Sequence, residues 1–194
     1  MYSEDKMIHI RPLIQRSPAQ IESKFGVDDW TTCIALNPES RYVDIDNRSD
    51  MFELISDRKF SGKHLQMLFI ITTDQEAVIG YDCPSGYNLW ADLLKAAEEF
   101  ASRGKTKRSY GVDPLIMEIF SVSNGTLKFT IYYELDCSKK YVDISLPSKE
   151  FMLSLTTALE HFLKIMINEY NVEVGDEEII NRVERLAKRF SILT

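Results

Sequence analysis

Five carboxylates crowd residues 44–57: Asp44, Asp46, Asp50, Glu53 and Asp57. Carboxylates at such spacing could hold a cation or face a basic partner. The run from Asp44 to Asp50 begins as a calcium loop does, with oxygen donors at alternate positions. It then departs from one. Arg48 falls in a ligand slot, Ser49 stands where glycine makes the turn, and Ile55 replaces the closing glutamate. No metal site is therefore expected here. Asp50, Glu53 and Asp57 fall at i, i+3 and i+7, which puts them on one stripe of a short helix. The stripe reads as a surface for a basic protein.

Cys83 is the best nucleophile the chain offers. It lies in Tyr81-Asp82-Cys83-Pro84-Ser85-Gly86, a turn leading into a helix, where a thiol pKa can fall. Its base would have to be His9, His64 or His161, none tied to it by spacing, and Asp82 opposes thiolate formation. A hydrolase built on Cys83 is thus a minor alternative. The histidines form no HxxxH or HExxH pair, so histidine metal chemistry has no support. Gly104-Lys105-Thr106 matches the end of a phosphate loop, but Glu99 stands where the first glycine belongs. Arg103, Lys105, Lys107 and Arg108 then read as a solvated basic linker.

A second candidate surface lies further on. Tyr132, Glu134, Tyr141 and Asp143 fall on outward positions of consecutive predicted strands. Tyrosine mixed with carboxylate suits recognition of a basic protein surface.

Alternation and capping signals place the elements that must carry these residues. A strand is predicted over Met7–Gln15, with Pro12 marking an edge. Ser17-Pro18-Ala19-Gln20 is a capping box with proline at the first helical position, and Gly26 stops that helix, whose Ile21 and Phe25 face inward. Strands follow at Trp30–Leu36 and Tyr42–Asp46. Ser49 caps a helix reaching Arg58, with Met51, Phe52 and Ile55 inward. Leu65–Thr73 is a central strand that turns through Thr73-Asp74-Gln75-Glu76 into Ala77–Asp82. Asn88–Ser102 is an amphipathic helix. Arg103–Pro114 reads as a linker. Leu115–Val122 and Thr126–Asp136 form a hairpin about Asn124-Gly125, with Leu127, Phe129, Ile131, Tyr133 and Leu135 on one face. A strand at Tyr141–Leu146, a helix from Pro147-Ser148 to Tyr170 and a last helix after Gly175 complete the chain.

RYVDIDNRSDMFEL and KYVDISLPSKEFML match at several positions when residues 41–54 are set against 140–153. Both read as a strand entering a serine-capped helix, so one strand-to-helix device serves twice.

The fold class expected is α+β, a largely antiparallel sheet with helices packed mainly on one face. The 194 residues form one domain, with pseudo-halves 1–104 and 112–194. Net charge is −7. Residues 1–100 hold 10 Lys/Arg against 17 Asp/Glu, whereas residues 101–194 hold 13 of each. Such a surface disfavours nucleic acid and anionic membrane and favours a basic protein partner. The opening MYSEDKMIHI lacks the apolar run of a secretory leader. The longest apolar run, residues 67–71, is too short to span a bilayer. Three scattered cysteines, with no CxxC, fit a cytoplasmic protein. No cofactor motif is present. The function expected is binding: an acidic protein that occupies a basic partner, as an immunity protein neutralises a toxin or nuclease. A regulatory module holding a small ligand between sheet and helices is a further alternative.

Overall fold

The computed structural model describes residues 7–74, 76–111, 113–123 and 125–192. The fold is α+β, and every strand pairing in it is antiparallel. The strands form two sheets instead of the one expected.

The first sheet is built from β1 (Ile8–Gln15), β2 (Tyr42–Asp44), β3 (Gln66–Thr73), β4 (Ala77–Ile79) and β5 (Gly86–Tyr87). Its order is β2-β1-β3-β4, with β5 also on β3. β3 is central and apolar, as a strand covered on both faces must be. β1 meets β3 along its whole length but meets β2 only from Leu13. The Arg16 N–H bonds Arg41 O on the β2 side. Backbone groups alternate sides along a strand, so Pro12 turns its nitrogen away from β3, to a side with no neighbouring strand. By the same alternation Ile8 O points there too, and Ser154 Oγ donates to it at 2.8 Å.

The second sheet is a meander in the order β6-β7-β8-β9: β6 (Lys105–Ser109), β7 (Leu115–Ser123), β8 (Thr126–Tyr133) and β9 (Asp136–Pro147). Leu127, Phe129 and Ile131 alternate inward and are fully buried. β8 ends before Leu135, which is exposed in the turn to β9. Gly125 takes φ +80 in the β7–β8 turn, while Asn124 lies outside the described residues, as does Gln75 of the β3–β4 turn.

The longer helices are α4 (Leu89–Arg103), α5 (Ser148–Lys164) and α6 (Glu177–Ile192). α5 ends in a π-helical turn, Ile165–Glu169. One hydrophobic cluster joins both sheets to these helices. Phe129 and Phe151 meet at 5.3 Å between ring centroids, linking β8 to α5. Trp90 and Phe162 meet at 6.3 Å, linking α4 to α5.

Three short helices cover the first sheet's margin: α1 (Pro18–Phe25), α2 (Trp30–Leu36) and α3 (Arg48–Ile55). α1 carries the full capping box and ends on Gly26 at φ +61. Ile21 is buried, but Phe25 lies under the Arg16 guanidinium at the surface.

Several expectations are corrected. Trp30–Leu36 is a helix, although Trp, Thr and Ile favour strands. Asp29 caps it, accepting from Thr31 N at 2.9 Å and from the Thr32 hydroxyl at 2.6 Å, and this local bonding overrides strand propensity. Residues 105–109 are not a linker. Thr106 is buried, and the lysines either side face water, so a strand with one wet face has linker-like composition. Asn47, not Ser49, caps α3, and no side chain caps α5. Phe52 is outside the α3 core and Leu54 is inside it. The matching stretches therefore share a strand-to-helix transition without a shared cap, and the two sheets differ in connectivity.

Candidate functional site

The carboxylates of residues 44–57 come together at the β2–α3 corner, but they are not free. Arg16 is 6% exposed and fills the space between β1 and α3. Its Nη1 donates to Tyr42 O and, at 3.0 Å, to Ser40 O, and its Nη2 donates to Asp50. Lys24 of α1 donates to Asp50 at 2.9 Å and to Glu53 at 2.7 Å. Arg11 lies 3.4 Å from Asp44, and His161 of α5 lies 2.8 Å from Asp46. The Lys24 hydrogen bond, aided by the charge of Arg16, holds the Asp50 carboxyl below its ordinary value. The Asp57 carboxylate accepts the backbone N–H of Lys59 at 2.9 Å.

Arg11, Arg16, Lys24 and Arg48 stand against these five carboxylates and Glu169, so the corner stays negative. Asp46 and Glu53 stay 62% and 50% exposed at their side chains despite their partners. The ridge thus presents carboxylates already held in position. Among the described residues no group of three or more His, Cys, Asp or Glu is placed to hold a metal ion.

Cys83 is buried behind the first sheet. Burial, then the charge of Asp82, pushes its thiol up to about 12. It faces the fully buried Tyr110 hydroxyl, which makes no hydrogen bond of ordinary geometry. His161 is engaged by Asp46, and no hydrogen bond joins Cys83 to a histidine among the described residues. A thiol protonated at every physiological pH and walled from solvent does not serve as a nucleophile.

The outer face of the second sheet differs in charge from the sequence expectation. Tyr132 is only 7% exposed and lies under the Lys107 ammonium, 5.7 Å from the ring centroid. Asp143 is gripped by Lys128 at 2.6 Å and Lys140 at 2.7 Å, which lowers its carboxyl to about 2. Glu134 sits in the β8–β9 turn, its N–H bonded to Pro114 O. Tyr141 is part-exposed beside Lys139. What looks acidic along each strand becomes basic across them. Register puts Lys105, Phe120 and Lys128 in one row across β6, β7 and β8, and puts Lys107, Glu118, Thr130 and Asp143 in another row that runs on to β9. The missed residues are Lys105, Lys107, Lys128 and Lys140. Alternation in KTKRS was the available signal, and it was masked by the linker reading.

The sheet–helix interface is packed with Phe69, Phe129, Phe151 and Phe162, all fully buried. Among the described residues no helix is long and apolar enough to cross a membrane. Comparison with protein-family models, curated proteins and solved structures yields no match.

Proposed function

We propose that this chain is a binding protein that acts by occupying a basic protein partner, in the manner of an immunity protein that neutralises a toxin or nuclease. The observation that carries this reading is the anchored, half-exposed pair Asp46 and Glu53 at the β2–α3 corner. Each is fixed by a side chain from another element, so little conformational freedom remains to be lost on association. The excess of carboxylate over cation at the corner steers a basic surface towards it. The mechanism is steric occupancy, with no bond made or broken. A reducing, cytoplasmic setting suits the three free cysteines, Cys137 among them exposed.

The test is titration calorimetry and stopped-flow mixing against a panel of basic nucleases and toxins, at low and high salt. A specific partner associates in a salt-sensitive manner, and Asp46→Asn with Glu53→Gln slows that association about tenfold. An association rate unchanged by both substitutions removes the ridge from the interface.

A further inference from the structure

We infer that the free edge of β6 is a docking site for an extended acidic segment of a partner protein, which adds to the second sheet as a fifth strand. The inference is independent of the acidic ridge. It starts from backbone parity. Gly104 O accepts from Ser121 N, and Tyr110 N donates to Leu115 O, so the even-numbered residues of β6 bond β7. Backbone groups alternate, so the N–H and C=O of Lys105, Lys107 and Ser109 point the other way. β6 is terminal in the sheet, and no hydrogen bond to those six groups occurs among the described residues. They form a regular, unpaired template for strand addition.

Side chains decide what can add. Lys105 and Lys107 project from the outer face, about 7 Å apart as strand positions two residues apart must be. An open groove of about 890 Å³ lies against β6 and β7, with Arg103, Lys105 and Lys107 in its wall together with Glu118, Phe120 and Ser121 of β7. On the inner side Glu99 accepts from the Thr106 hydroxyl and from Arg108, each at 2.6 Å, and its carboxyl is held below the ordinary value. The Arg108 guanidinium balances that carboxylate, so the inward side offers an ion pair already made and no free charge for a further carboxylate to meet. The segment that fits therefore alternates: acidic residues outward, opposite the lysines, and neutral residues inward. Such cross-strand opposite-charge pairs add to the backbone bonds. A nucleic acid fits less well. Its phosphates cannot alternate with neutral groups, and it has no backbone amides to pair with β6.

The probe is a short soluble peptide alternating glutamate with valine or threonine, added to the whole isotope-labelled chain. Its register control exchanges the two classes of position for lysine and valine. A single-stranded oligonucleotide is the third arm. The expected result is shift changes centred on β6, slowed amide exchange at Lys105, Lys107 and Ser109, and binding that weakens with salt. Lys105→Glu with Lys107→Glu weakens binding about tenfold without loss of fold, since both side chains are exposed. N-methylation of the peptide at the amides facing β6 abolishes binding, and N-methylation of the alternate amides does not. The inference is overturned if the acidic peptide leaves the β6 amides unmoved at millimolar concentration, if N-methylation at either set is equally tolerated, or if the oligonucleotide binds as tightly. In each of those cases the lysines serve only to keep the edge from pairing with other chains.

Discussion

Gly86 and Gly111 touch backbone to backbone, and this contact joins the two sheets. A Cβ built on Gly86 would lie 2.7 Å from Tyr110 O and 2.9 Å from Gly111 Cα. Tyr87 N, next along β5, donates to Gly111 O at 2.8 Å. The first sheet thus meets the segment between β6 and β7 main chain to main chain, at Tyr110 and Gly111.

Gly86→Ala is expected to destabilise the fold by about 2–3 kcal/mol, because backbone on both sides must move to admit one methyl group. Gly111 also takes φ +69, so Gly111→Ala adds backbone strain to the clash. Urea unfolding measures both. A cost below that of an ordinary surface substitution at Gly86 would show that the contact is loose.

Arg16 ties β1 to two carbonyls and to Asp50 in a nearly dry setting. Arg16→Ala removes the donor from both carbonyls and leaves Asp50 with Lys24 as its remaining cation, and about 1–3 kcal/mol of stability is expected to go with it. Arg16→Lys recovers little, because an ammonium cannot reproduce the planar fork that serves three acceptors. Denaturation midpoints of the two variants, compared with the parent, decide the point; near-parental stability of either would mean that water replaces the guanidinium.

Acid sensitivity follows from Asp50 and Asp143. Both carboxyls are lower in the folded chain than in the unfolded one, Asp143 at about 2. The unfolded chain therefore binds more protons in this range, and stability falls with pH. Their contribution is complete above the unfolded carboxylate value of about 4 and is lost as pH drops towards about 2. Asp143→Asn is expected to flatten the acid limb of a Tm-against-pH curve, with only a modest effect because its ion pairs are part-exposed. Parallel curves for parent and variant would dissociate Asp143 from acid unfolding.

Alkylation distinguishes the cysteines. In the native protein at about pH 8, iodoacetamide is expected to modify Cys137, on the exposed start of β9, and to spare Cys83 until urea is added. Peptide mass spectrometry reads the sites. Equal rates at the two cysteines would place Cys83 in contact with solvent.

Local signals were legible where a few neighbouring residues settle the outcome. The Ser17–Gln20 capping box, the Gly26 stop, the apolar β3 and the alternation of Leu127, Phe129 and Ile131 all stand where the sequence puts them. The α4 face of Leu89, Trp90, Leu93, Leu94, Ala97 and Phe100 is buried throughout. Trp30–Leu36 reads as a strand from its Trp, Thr and Ile, whereas in the fold the Asp29 cap starts a helix there. Residues 105–109 were misread because an edge strand with one wet face looks polar.

The candidate surfaces were legible in part. Asp44, Asp46, Asp50, Glu53 and Asp57 do gather at one corner, since a strand, a tight turn and a short helix keep near neighbours together. Their partners come from elsewhere: Arg11 from β1, Arg16 just after it, Lys24 from α1 and His161 from α5. Nothing in a run of fourteen residues announces a partner more than a hundred positions away.

Sequence alone determined the α+β class, most helix faces, the acidic bias of residues 1–100 and the absence of a recognisable catalytic spacing, because periodicity, capping and composition are local quantities. Tertiary structure decided that there are two sheets, that Cys83 is sealed, that Tyr132 lies under Lys107 and that Asp143 sits between two lysines. Strand register brings side chains from separate segments within a few ångströms, and charge and burial at a surface are set by those neighbours, not by the order of residues along the chain.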